Sequence, residues 1–176
     1  ALKAFERFGD RVKYWFAFNE PIVIQTRSYL DAVRWPHHQD SAMWMQWNYY
    51  KALATAAVMD AYKKSGYKRP ECKFGSIINV ETVYPRSDSK GDCDAADMYD
   101  LFYNRVFLDP ALKGEYQEGF FELLKKHGIE VEHTAEELAL IKENTLDWVG
   151  INLYHPNRGK NMCSKRRGPF SSGFLL

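Results

Sequence analysis

Residues 12–23 read VKYWFAFNEPIV, an apolar and aromatic run that stops at Asn19-Glu20-Pro21. Val12–Phe18 has the composition of a buried strand. Strands commonly pass to a turn through Gly, Asn, Asp or Pro, so a glutamate held between an amide and a proline is a pointed choice. In parallel α/β folds the functional groups gather at the C-terminal ends of strands. Glu20, two residues past Phe18, falls at such an end. Desolvation by Trp15, Phe16 and Phe18 would raise the pKa of a carboxyl group placed there, which suits a general acid near neutral pH. Asn19 beside it can donate to a substrate hydroxyl. The plain alternative is a surface glutamate at a strand end, followed by a proline that terminates the strand.

Working outward, two more segments read as buried strands. One is Lys73–Tyr84, KFGSIINVETVY, with Gly75 near its start and Pro85 just past its end; the other is Leu146–Tyr154, LDWVGINLY, closed by Pro156. Each is apolar on both alternating faces, as parallel strands covered by helices are. A long helix is predicted from about Asp40 to Ser65. It ends at Ser65-Gly66 with Lys63 and Lys64 in its last turn, and Met43, Trp47, Tyr50, Ala54, Ala57, Val58 and Ala61 mark its core-facing stripe. Further helices are expected over Ala95–Phe107, Glu118–Gly128 and Thr134–Asn144. The last carries a capping box, Thr134 with Glu137. This alternation argues a parallel α/β layout, and a doubly wound sheet and a (β/α)8 barrel both fit it.

The chain has 176 residues and a net charge of +1, with 45% hydrophobic and 27% charged residues. That is an ordinary globular composition. Its near-neutral charge makes no electrostatic case for nucleic acid or an anionic membrane. No apolar run approaches the ~20 residues that span a bilayer, and the opening ALKAFERFGD is amphipathic rather than signal-like. Cys72, Cys93 and Cys163 are widely spaced and odd in number, which fits reduced thiols in a cytoplasmic protein. No Cys/His spacing suits zinc, and the adjacent His37 and His38 point to opposite sides of most backbones. Trp35 and Trp44 could stack on a sugar, although packing is the commoner fate of such residues. The domain is expected to run over residues 1–157. An irregular tail, 158–176, follows and gathers Lys160, Lys165, Arg166 and Arg167; such a basic cluster reads as a solvated loop before it reads as a nucleic-acid patch.

The segment FGDRVKYWFAFNEP resembles the stretch around the acid/base glutamate of glycoside hydrolase family one, the β-glucosidase and 6-phospho-β-glucosidase family. VYPRSDS (Val83–Ser89) with NRVFLDPALKGEY (Asn104–Tyr116) is similar to the family's segment after the fifth barrel strand, and LDWVGINLYHP (Leu146–Pro156) to its sixth strand. The matches come in family order over about residues 1–158.

The resemblance implies an α/β fold of about three βα units, a partial (β/α)8 TIM barrel. It also implies hydrolysis of β-glucosides, with a lean to 6-phospho-β-glucosides, by double displacement between carboxylates ~5–5.5 Å apart. Glu20 would be the acid/base, and Asn19, Asn152 and Tyr154 would contact substrate, Tyr154 matching the tyrosine that touches the family's nucleophile. The alternatives are a plain β-glucosidase or β-galactosidase, and a non-catalytic sugar-binding half-barrel. The expected partner is a β-glucoside or phosphorylated disaccharide; no metal, organic cofactor, nucleic acid or membrane is implied.

Two departures from the family pattern stand out. NVETVYP replaces a Thr-Pro that the family often has, leaving Glu81 as a core or rim group first and a supporting polar group second. The nucleophile's Thr-Glu-Asn-Gly-like motif does not occur. The chain therefore reads as an internal piece covering about strands four to six. Its sheet edges and inner face are expected to be open to self-association, and the piece alone is expected to be inert.

Overall fold

The computed structural model describes residues 1–160. Residues 161–176 of the anticipated tail, with Cys163, Lys165, Arg166 and Arg167, lie outside the described residues, whereas 158 and 159 belong to a short strand rather than to an irregular segment. Helix α1 (Leu2–Phe8) precedes β1 (Tyr14–Asn19), and α2 (Pro21–Gln25) then runs into a π-helical turn, Thr26–Leu30. Next come α3 (Ser41–Lys64), β2 (Lys73–Asn79) and the short β3 (Val83–Pro85). Helix α4 (Lys90–Tyr99), a second π turn (Asp100–Arg105) and α5 (Val106–Lys113) form one continuous helical stretch. Helices α6 (Phe120–Lys126) and α7 (Ala135–Glu143) lead to β4 (Trp148–Asn152) and β5 (Asn157–Gly159).

Strands β1, β2 and β4 form a parallel sheet with β2 in the middle. β3 and β5 pair in parallel as a separate ribbon. One face of the sheet carries Trp15, Ala17, Phe74, Ile78 and Val149 into the helical core. The residues alternating with them on β1, Tyr14 and Phe16, are 67% and 49% exposed. A doubly wound sheet has helices on both faces. Helices on one face only, with the other left open, are the arrangement of a partial (β/α)8 barrel, whose inner side is filled by side chains from further strands. The expectation that each strand is covered on both sides is thus corrected for β1.

Helix α3 starts where Asp40 accepts the Met43 N–H at 2.9 Å and stops before Gly66, which takes a left-handed φ of 76°. Its buried side is Trp44, Met45, Asn48, Tyr49, Ala52, Thr55, Ala56, Met59 and Tyr62. The stripe anticipated from the sequence faces outward or sideways instead, with Met43, Trp47 and Tyr50 all exposed. The helix is apolar on several sides, so its period alone fits two stripes. Size decides between them: in the second half Met59 and Tyr62 compete with Ala57 and Ala61, and burying each large side chain is worth about 1.5–3 kcal/mol.

Two other expectations change. The second strand does not continue to Tyr84, because Asn104 draws Glu81 out of the sheet: its Oδ1 accepts the Glu81 N–H at 3.1 Å and its Nδ2 donates to the Glu81 carbonyl at 2.8 Å. The helix expected over Ala95–Phe107 is instead divided by the π turn, which buries Leu101, Phe102, Tyr103 and Asn104 in succession. The capping box at α7 is present, with Thr134 and Glu137 bonded in both directions. Among the described residues no helix is long and apolar enough to cross a membrane.

Candidate active site

The pairing of β1 with β2 shifts register between Phe16 and Asn19. Immediately afterwards Glu20 adopts a left-handed conformation, φ 50° and ψ 60°. A non-glycine residue there carries strain that surrounding contacts must hold. Here the Glu20 N–H donates to the Ile77 carbonyl at 2.8 Å, and Pro21 starts α2 at once with its φ already helical. The bulge and the turn together re-aim the Glu20 side chain at the strand end.

Two donors meet the carboxylate. Asn152 at the end of β4 donates from Nδ2 to Glu20 Oε1 at 2.8 Å, and the Tyr154 hydroxyl donates to the same oxygen at 2.9 Å. Asn152 Nδ2 also lies 3.4 Å from Asn19 Oδ1. All four residues singled out from the sequence therefore converge, although β1 and β4 are not neighbours in the sheet and β2 lies between them. Glu20 is half-buried, and Asn19 and Tyr154 are exposed. The Tyr154 hydroxyl is held above its ordinary pKa, first by the hydrogen bond to Glu20, then by the glutamate's charge, then by burial. Both bonds fall on Oε1.

A second polar cluster lies behind β2. The Glu81 carboxylate receives the Tyr99 hydroxyl in a short bond and Asn157 Nδ2 at 2.7 Å. Asn79 Nδ2 reaches the Tyr103 hydroxyl at 3.1 Å and Glu81 Oε1 at 3.5 Å. Burial, then Glu81, raises the pKa of both tyrosines. Sequence reading did not single out Tyr99, Tyr103, Asn104 or Asn157. Two buried polar residues, Asn104 and Asp109, inside the apolar run LFYNRVFLDP were the available signal.

The remaining candidates take no part in either cluster. Trp44 is buried, its indole N–H donating to Thr26 Oγ1 at 3.2 Å. Trp35 is 81% exposed on the loop before α3, which also carries the exposed His37 and His38. Cys72 and Cys93 are free thiols. No group of His, Cys, Asp and Glu among the described residues could hold a metal ion.

The model of Glycosyl hydrolase family 1 matches residues 1–171. The chain is 38% identical over 160 residues to the 6-phospho-beta-glucosidase GmuD of Bacillus subtilis (strain 168), covering 91% of this chain and 34% of that protein. It is 28% identical to Beta-glucosidase A of Acetivibrio thermocellus, covering 85% of this chain and 33% of that one. Among solved structures, virulence factor SghA from Agrobacterium tumefaciens superposes with a TM-score of 0.82 at 28% identity, over 95% of this chain and 36% of that chain. A beta-glucosidase from Thermotoga maritima in complex with deoxynojirimycin gives 0.73 at 26% identity, over 88% and 34%. The chain spans about a third of the length of these relatives.

Proposed function

This chain belongs to glycosyl hydrolase family 1, and from that premise we propose that it supplies the acid/base half of a retaining β-glycosidase site, with Glu20 as the acid/base. The observation that carries this reading is the pair of donors on Glu20 Oε1, from Asn152 and Tyr154, at the C-terminal end of a barrel strand. Protonated Glu20 gives its proton to the glycosidic oxygen as the bond to the sugar breaks and the aglycone leaves. As the carboxylate it then takes a proton from the water that attacks the glycosyl-enzyme. Asn152 and Tyr154 hold the carboxylate in place through both steps, and together with exposed Asn19 they contact the sugar hydroxyls.

The carboxylate that forms the covalent intermediate is assigned to no residue of this sequence. It comes from the rest of the barrel in the full-length enzyme, and the segment without it does not turn over. The substrate is a β-glucoside phosphorylated at the 6-position, handled in the cytoplasm. The higher identity to a 6-phospho-beta-glucosidase, 38% against 28% for Beta-glucosidase A, favours the phosphorylated sugar.

The test is Glu20→Gln in the full-length enzyme, assayed on β-glucoside 6-phosphates whose leaving groups differ in basicity. Loss of an acid catalyst costs ~10²–10⁴-fold, and only where the departing oxygen needs a proton. The variant is expected to lose that much on an alkyl aglycone and far less on dinitrophenolate. Equal losses on both would contradict the role, and higher kcat/KM on the unphosphorylated glucosides would contradict the phosphate.

A further inference from the structure

The segment carrying Tyr154 is short and is pinned at both ends beside Glu81. Before it, the Asn152 carbonyl accepts the Val80 N–H at 3.2 Å; after it, the Asn157 N–H donates to the Thr82 carbonyl at 2.7 Å. Residues 80 and 82 flank Glu81 itself. Between these anchors the Glu81 carboxylate takes the Asn157 side chain, Nδ2 to Oε2 at 2.7 Å. Asn157 is buried, so its amide has no ready exchange with water and the bond fixes where residues 153–156 begin their return. Glu81 is in turn fixed from the helical side. Tyr99 donates to the same oxygen, Asn79 approaches Oε1, and Asn104 clamps the Glu81 backbone from both sides.

We propose that Glu81 is a positioning residue for the Glu20 site: by holding Asn157 it sets the 153–156 segment so that Tyr154 and Asn152 both reach Glu20 Oε1. The inference rests on Glu20 being the reactive carboxylate, but its chemistry is separate from turnover. The charged and titratable groups around it are few. Tyr154 faces Glu20 at the end of β1, with exposed His155 next in the chain. Glu81 faces Tyr99 and Tyr103, with Asp31 acting on the first and Arg27 on the second. Asp100 Oδ1 accepts a hydrogen bond from Asn104 Nδ2 at 2.7 Å.

The experiment is titration of the Tyr154 hydroxyl, followed through the ζ-carbon chemical shift in tyrosine-labelled protein and assigned by its loss in Tyr154→Phe. No substrate is needed, so this test and the proposed reaction can fail separately. In Glu20→Gln the Tyr154 midpoint falls, because the hydrogen bond to Glu20 and the glutamate's charge are what hold it up. In Glu81→Gln, which turns one acceptor into a donor facing Tyr99 and Asn157, it falls by a similar amount. The double variant falls no further than Glu20→Gln alone. Asn157→Ala removes only the link, leaving Tyr99 and Tyr103 on Glu81, and gives the same fall should Glu81→Gln not fold. A Tyr154 midpoint unchanged by Asn157→Ala or by a folded Glu81→Gln, with only the melting temperature lowered, overturns the proposal and leaves Glu81 a structural residue. So does a double variant whose fall is the sum of the two.

Discussion

Glu20 stands out at the residue scale because a carboxylate in a left-handed turn is costly and here is held by a backbone bond to Ile77. Its position was legible in the order apolar strand, Asn, Glu, Pro. The donors to it were not legible from spacing, since Asn152 and Tyr154 lie more than a hundred residues away in sequence and reach it across β2. Only resemblance brought them forward. Asp147 is a quieter case. Its Oδ2 accepts Lys68 Nζ at 2.7 Å and the Phe74 N–H at 2.9 Å. Burial works to raise its pKa, but the Lys68 and Phe74 hydrogen bonds, with the charges of Lys68 and Lys73, outweigh this and hold it below the ordinary value. A folded-state pKa depressed below the unfolded value gives stability that is present above the unfolded pKa, near 3.9, and lost as the pH falls through the folded one. Asp147→Asn is expected to cost about 1–2 kcal/mol at neutral pH in denaturant titrations, with the difference shrinking below about pH 4. A difference that persists undiminished in acid would remove the charge from the explanation.

At the scale of elements, the three parallel strands were legible because each is a short apolar run bounded by turn residues, and the helix ends because Asp40, Gly66 and Thr134 are strong caps and stops. What failed was the choice of face on α3 and the length of the second strand, along with the unbroken helix over Ala95–Phe107 and the two-sided cover of β1. The first is ambiguous in any helix apolar on several sides. The second depends on Asn104, a partner from a distant helix that no local pattern reveals. The join between β2 and β4 shows the same dependence on tertiary context. A Cβ on Gly75 would sit 2.5 Å from Cε2 and 2.6 Å from Cδ2 of Trp148 and would also meet the Trp148 carbonyl oxygen. Gly75→Ala is therefore expected to destabilise by about 1–3 kcal/mol through overpacking. Because backbone as well as indole is in the way, β4 would shift and carry Asn152 off Glu20. Thermal melting together with the Asn152 side-chain amide resonance checks this; an unshifted amide in a stable variant would show that β4 tolerates the methyl group.

At the scale of the whole molecule, the helices gather on one face of the sheet while Tyr14 and Phe16 stand exposed on the other. That is how a sector of a barrel looks, and it accords with a chain spanning about a third of the relatives it matches. The reaction proposed for Glu20 needs a second carboxylate, which that proposal assigns to the rest of the barrel. The central claim is that Glu20 is the acid/base and not the nucleophile, and product stereochemistry decides it directly. In Glu20→Ala of the full-length enzyme, azide needs no base and can attack the glycosyl-enzyme from the face that water uses. With an activated β-glucoside 6-phosphate, added azide is expected to raise turnover and yield the β-glycosyl azide. An α-glycosyl azide would make Glu20 the nucleophile, and no rescue at all would contradict its role as base.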